Sequence, residues 1–291
     1  MQTHRDIILQ GDALIADIDA CAAPRGRLGL WWLGQHSFIV KAGDAVIYID
    51  PFLSPMQERL CPPLLTPAQI RHAAFICGTH DHADHVDRPV WPALAKASPG
   101  ARFVVPRLLL DRGLAAELGI DAGRFVGLDD GGRIEVESSG SDRKSTIHIC
   151  AVAAAHEFLD RDPASGRYPY LGFIIEANGC TLYHAGDTVW YDGLQTKLRR
   201  WAFDAMLVPI NGRDATRLRN NILGNMIYQE AADLCGPLIS HTPGVVIPAH
   251  YDMFAGNPGD VEGFLDYMAT KYPAAHALRC RYGERVMIGK Q

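Results

Sequence analysis

The stretch FICGTHDHADHVD, residues 75–87, decides how this sequence is read. It opens on a short apolar run of the kind that forms a buried strand, and positions 79–87 then carry three histidines and three aspartates. In His80-Asp81-His82-Ala83-Asp84-His85, alternate side chains turn toward one point as the chain bends out of the strand, so four ligands converge without long-range help. Imidazole nitrogen and carboxylate oxygen suit Zn²⁺, Mn²⁺ or Fe²⁺, and the cluster itself holds no cysteine for a structural zinc knuckle. The plain alternative is a polar loop in which Asp81 or Asp84 caps a helix and the histidines face solvent. So many unpaired ionisable groups beside a buried strand are costly without a cation, and this weighs against it.

Outward from the cluster, the chain alternates between β and helical patterns. Before it, LGLWWLG, SFIVKAG and AVIYIDP are short aromatic and branched runs separated by glycine-containing turns, a meander entering a sheet. After it come the strand RFVVP, a helix over 107–118, the strands RIEVE, TIHICAVAA, YLGFIIEA and CTLYHAG, and the strand FDAMLVPI. A helix around 224–235, the strand GVVIPAH, a helix around 260–272 and a strand near RVMIG complete the chain. Ile7, Ile8, Leu14, Ile15 and Ile18 recur at roughly helical spacing and predict an N-terminal helical segment at about 5–20, which Gly11 weakens. Strand-rich and helix-alternating stretches occur in both halves, which favours two packed sheets with helices outside over one doubly wound sheet. The expectation is a single domain over 1–291.

Composition excludes several classes. The 291 residues are 48% hydrophobic and 21% charged, enough apolar material for a substantial core. A formal net charge of -5 argues against a general grip on nucleic acid. No apolar run approaches the ~20 residues that span a bilayer, and the opening stretch fits neither a signal nor a transit peptide, so a cytoplasmic protein without a membrane partner is expected. The seven cysteines are odd in number and contain no CxxC pair, which disfavours a disulfide framework. No GxSxG elbow organises a serine nucleophile.

The cluster resembles the HxHxDH signature of the metallo-β-lactamase superfamily. That resemblance implies an α/β fold, the αββα sandwich, with a dinuclear site at the sheet edges. It also implies three further ligands after strands, matched here by His156 in AVAAAHE, Asp187 in LYHAGDT and His250 in VVIPAHYD. By the same resemblance His80, His82 and His156 hold one divalent cation, Asp84, His85 and His250 the other, and Asp187 bridges them; Zn²⁺ or Mn²⁺ is expected. His156 has an alternative reading as a packed core residue. His36, His148, His184 and His241 are expected as supporting groups. A metal-bound hydroxide would act as nucleophile, with Asp84 handling the proton.

GLWWLGQHSFIVKAGDAVIYIDPFL, PINGRDATRLRNNILGNM and PAHYDMFAGNPGDVEGFLDYM resemble the L-ascorbate-6-phosphate lactonase (UlaG-like) branch. The resemblance implies hydrolysis of a lactone or related ester of an anionic, phosphorylated sugar-like molecule. Arg213, with Asn211, Arg217, Arg219, Asn220 and Asn221, then forms a wall for the anion, and Tyr251 and Asp252 stand beside His250. The rival reading of the NGRD stretch is a solvated loop capping the following helix. Rival functions are a phosphodiesterase or phospholipase-D-like enzyme on the same metals and a non-catalytic metal-binding module. The oligomeric state is left open, a homo-oligomer included.

Overall fold

A computed structural model describes residues 7–138, 145–239 and 244–289. The first helix, α1 (Gly11–Ala20), buries Leu14 and Ile18. The meander then folds as β1 (Arg27–Gly34), β2 (Ser37–Ala42) and β3 (Ala45–Ile49), antiparallel, with Trp31 opposite Ile39 and Phe38 opposite Ile49. Both β2 and β3 are buried along their whole length, which is why residues 38–40 and the whole of β3 read as apolar runs and not as an alternation. From β3 the pairing turns parallel. β4 (Ala73–Cys77), β5 (Arg102–Pro106) and β6 (Phe125–Leu128) follow, with α2 (Trp91–Ala97), α3 (Arg107–Asp111) and α4 (Leu114–Leu118) in the crossovers.

The second sheet repeats this plan. β7 (Arg133–Ser138), β8 (Ser145–Ala153), β9 (Leu171–Ala177) and β10 (Cys180–His184) pair antiparallel. β11 (Ala205–Pro209), β12 (Val245–Ala249) and β13 (His276–Ala277) then add in parallel. α5 (Leu194–Leu198), α6 (Ala215–Arg219), α7 (Tyr228–Cys235) and α8 (Val261–Lys271) lie in the connections, and β14 (Arg285–Gly289) returns to pair with β1. The two seven-stranded sheets share one contiguous buried apolar cluster, and with their helices they form the expected α/β sandwich.

The pairing senses fix where chemistry can gather. In the first sheet β1, β3 and β4 run in one direction; in the second β8, β10 and β12 do the same. Their carboxyl ends therefore open on one edge of each sheet, the position where α/β folds place ligands.

Three expected elements differ. The N-terminal helix starts at Gly11, whose φ of 59° cannot sit inside a helix, and Ile7 instead bridges to Tyr282; residues 5 and 6 of the expected segment lie outside the described residues. The helix over 107–118 is broken into α3 and α4 by Gly113 at φ 92°. The helix around 224–235 begins at Tyr228 because Ile227 is extended. All seven cysteines are buried thiols outside any disulfide, and no helix among the described residues is long and apolar enough to cross a membrane.

Candidate metal centre

The turn after β4 carries His80, His82, Asp84 and His85; His156 follows β8, Asp187 follows β10 and His250 follows β12. The fold brings all seven together. One ligand atom each from His80, His82 and His156 lie within 4.8 Å of one another, and so do those from Asp84, His85 and His250. Asp187 stands between the groups: Oδ1 is 3.4 Å from His85 Nε2, while Oδ2 is 3.1 Å from His250 Nε2 and 3.5 Å from His156 Nε2. His156 is thus a member of the cluster and not a packed core residue.

A second layer holds these groups in place. Asp50, just past β3, accepts from His85 Nδ1 at 2.6 Å and from the Thr79 amide and hydroxyl, both at 2.7 Å. That fixes the His85 tautomer and turns Nε2 toward Asp84 and Asp187. Gln35 Nε2 donates to Asp84 Oδ2 at 2.8 Å, and Gly224 O lies 3.2 Å from His156 Nδ1. His36 Nδ1 is 3.4 Å from Asp187 Oδ1, and His184 stacks on His36 with centroids 4.0 Å apart. His184 Nε2 donates to His36 O and its Nδ1 accepts from the Gly186 amide, so it is a neutral imidazole with both nitrogens engaged.

His36 and His184 therefore support the site as expected, whereas His148 does not. It faces the exposed Glu135 across the β7–β8 ladder at 3.8 Å. His241 lies outside the described residues. Gln35, Asp50 and Thr79 are supporting groups that the sequence reading passed over.

Backbone strain concentrates here too. Gln35, Asp50 and His250 have φ of 52°, 47° and 60°, in the left-handed region that ordinary side chains avoid. The His250 amide donates to Gln35 O at 2.9 Å, so two strained residues lock each other.

Burial sets the charge states. It pushes His36 and His156 down to about 4 against the pull of Asp187, and holds His80 well below its ordinary value. It lowers His85 and His250 as well, but there Asp187 and Asp84 outweigh it, leaving His250 at about 9 and His85 well above its usual range. Burial would raise Asp84 and Asp187, yet the facing His85 and His250 hold both carboxyls well below the carboxylate range. Protons on His85 and His250 thus occupy the place of positive charge between two buried carboxylates. His85 Nε2 is fully buried with no hydrogen-bond partner. A donor set of five imidazoles and two carboxylates with such an orphaned nitrogen fits a pair of divalent cations.

The cluster floors a cavity of about 760 Å³, onto which His82, Asp84, His156, Asp187 and His250 open. A family model described as the beta-lactamase superfamily domain matches residues 46–251, the span that runs from β3 through His250 and carries all seven of these residues. The chain belongs to the beta-lactamase superfamily. Among superfamily relatives, a UPF0173 metal-dependent hydrolase of Myxococcus xanthus is 30% identical over 250 residues, 84% of this chain and 78% of that protein. Another, of Methanosarcina mazei, is 26% identical over 249 residues, 84% of this chain and 92% of the relative. In fold, Igni18, a metallo hydrolase from Ignicoccus hospitalis, superposes with a TM-score of 0.66 at 22% identity, covering 91% of this chain and 100% of its own.

The expected anion wall is not at the cavity of this superfamily member. Arg213 makes a two-pronged pair with Glu230 at 2.6 and 2.7 Å and donates to Asn225 O, so its guanidinium is committed. Asn211 is buried between Asn225 and Asn257, 3.0 Å from each, and Asn220 donates to Thr216 O at the end of α6. Tyr251 stacks on Trp32 and lines a separate 270 Å³ cavity, and Asp252 accepts from the Gln35 amide. Of the residues expected in the anion wall, Asn221 reaches the metal cavity, followed by the apolar Ile222 and Leu223. Asp214 accepts from the amides of Thr216 and Arg217 at 2.8 and 2.9 Å, so NGRD caps α6, the rival reading.

Proposed function

We propose that the chain is a dinuclear metal-dependent hydrolase acting on a lactone or related ester of a small molecule. The observation that supports this most strongly is the convergence of seven His and Asp side chains from two sheets on the floor of one cavity. The names of the relatives from Myxococcus xanthus and Methanosarcina mazei support its coarser part, a metal-dependent hydrolase. His80, His82 and His156 would hold one cation, Asp84, His85 and His250 the second, and Asp187 both. Two divalent cations bound there, Zn²⁺ or Mn²⁺, would supply acidified water and polarisation of a carbonyl oxygen.

The chain's own residues do the rest. Asp84, whose Oδ2 faces the cavity under the Gln35 amide group, is the proton acceptor beside the reacting carbon. Asp50 and Thr79 keep His85 from turning away, and the buried His36–His184 stack backs Asp187. A phosphodiester is disfavoured because no Lys or Arg is among the described residues of the wall.

Metal analysis of protein purified without chelator, paired with a screen of lactones, carboxyl esters and phosphodiesters, tests the reading. We expect about two equivalents of metal per chain and turnover of lactones or carboxyl esters that chelator abolishes and added Zn²⁺ or Mn²⁺ restores. A metal-loaded chain that opens none of these would remove it.

A further inference from the structure

The wall of the metal cavity has a composition that the ligand cluster does not explain. Away from the floor it is built from Phe52, Met56, Ile222, Leu223, Phe254 and Ala255. Phe52 and Phe254 stand with ring centroids 6.4 Å apart, and Met56 is left 44% exposed. The polar groups on the wall, Gln35, Asn221 and Asn257, are uncharged, and among the described residues the charge it carries outside the ligand set is the carboxylate of Glu58. The cation packed closest to this wall's aromatic face, Arg59, sits 4.4 Å over the Phe52 ring. It donates to the backbone carbonyls of Cys61, Phe52 and Ser54, and its Nη2 is occluded from solvent. An anionic substituent seated on this wall, away from the metal floor, would lose its hydration against apolar side chains and meet Glu58, with no Lys or Arg among the described residues of the wall to pair it.

From this wall we infer that the substrate is a neutral lactone or ester carrying an apolar substituent, seated against Phe52, Met56, Ile222, Leu223 and Phe254 with its carbonyl on the metal floor. The inference rests on the hydrolase reading for the reacting end and on the wall for the other. In the reaction water adds to the carbonyl carbon, the acyl C–O bond breaks, and the water's second proton passes to the departing alkoxide, giving a hydroxy acid or an acid and an alcohol. The 760 Å³ volume is ample for a medium-length alkyl chain or an aryl group beside the reacting carbonyl. Burying each methylene in such a wall favours the bound state by about fourfold.

Two ladders on metal-loaded protein separate the two halves of the inference. The first is an n-alkyl hydroxamate series, whose head group chelates metal and whose binding, measured by calorimetry, needs no turnover. The second is a γ-lactone series with n-alkyl substituents of the same lengths, alongside analogues ending in carboxylate. We expect hydroxamate affinity and lactone kcat/KM to rise together by about threefold to fourfold per methylene until the cavity is filled, and the carboxylate-ended lactones to fall at least about tenfold below their neutral matches. Leu223→Arg should flatten both ladders and bring the carboxylate-ended lactones level with the neutral ones, while metal content stays at the wild-type value; Ile222→Ala should reduce the slope alone. A flat hydroxamate ladder, or a preference for the anionic lactones in the wild type, overturns the apolar-substrate inference. A rising hydroxamate ladder with no lactone or ester turned over keeps the apolar-substituent half of the inference and removes the lactone or ester half together with the hydrolase reading it rests on.

Discussion

Asp50 ends β3 in a left-handed conformation and is hydrogen-bonded to Thr79 and His85 at once, yet nothing near it in the sequence marks it out. The HxHxDH residues were legible because they are contiguous and chemically improbable as a loop. Asp50 and Gln35 reach the same site from other turns, and a lone Asp or Gln after an apolar run looks like any strand end. Replacing Asp50 with Asn should weaken metal binding by about tenfold to a hundredfold, since the His85 tautomer is then unfixed; titration with a chromophoric chelator reads it. Asp187→Ala should lower metal content and hydrolysis together, and full occupancy with full activity in that variant would refute its bridging place. His184 gives a pH prediction. Burial, with His36 beside it, holds its imidazole at about 3 against the ordinary 6.5. Below pH 6.5 the unfolded chain takes a proton there that the folded chain refuses, so stability is full above 6.5 and falls as the pH drops toward 3. The slope is about 1.4 kcal/mol per pH unit for one proton. In denaturant titrations of the metal-free protein between pH 6 and 4, His184→Gln should be less steep than the wild type by about that amount.

Among elements, strands read well because sheet burial on both faces leaves an unmistakable apolar run, as in β2, β3 and β12. β6 escaped notice because FVGL is four residues long and carries a glycine, and α3 and α4 read as one helix because the break is a single residue, Gly113. Turns after strands carry the site, so their backbones are exacting. Gly186, which precedes Asp187, has φ 61°, and a Cβ there would come within 2.4 Å of Leu171 O. Gly186→Ala should cost about 1–3 kcal/mol of stability and lower metal occupancy by displacing Asp187. Unchanged denaturant midpoint and occupancy would show that the β10 turn adapts.

Across the whole molecule, four ligands come from the first sheet and three from the second, with Asp187 placed between them. Cations bound there tie the two sheets at one edge, and anything that binds the folded chain alone raises its stability. At a free metal concentration a thousandfold above Kd, one site adds about 4 kcal/mol, or a rise in Tm of about 6–8 °C at this chain length. Calorimetry of chelator-treated and reloaded protein should show a gap of at least that size. The seven buried thiols turn the same fold into its own clock. Burial raises the Cys280 thiol to about 12 and pushes Cys77 and Cys235 higher still, so none of these presents a thiolate to a reagent while the sheets stay packed. Cys77 lies in β4 and Cys180 in β10, on opposite sides of the tied edge. Alkylation followed by mass spectrometry would therefore time the opening of each sheet separately, with no engineered probe and no loss of a native contact.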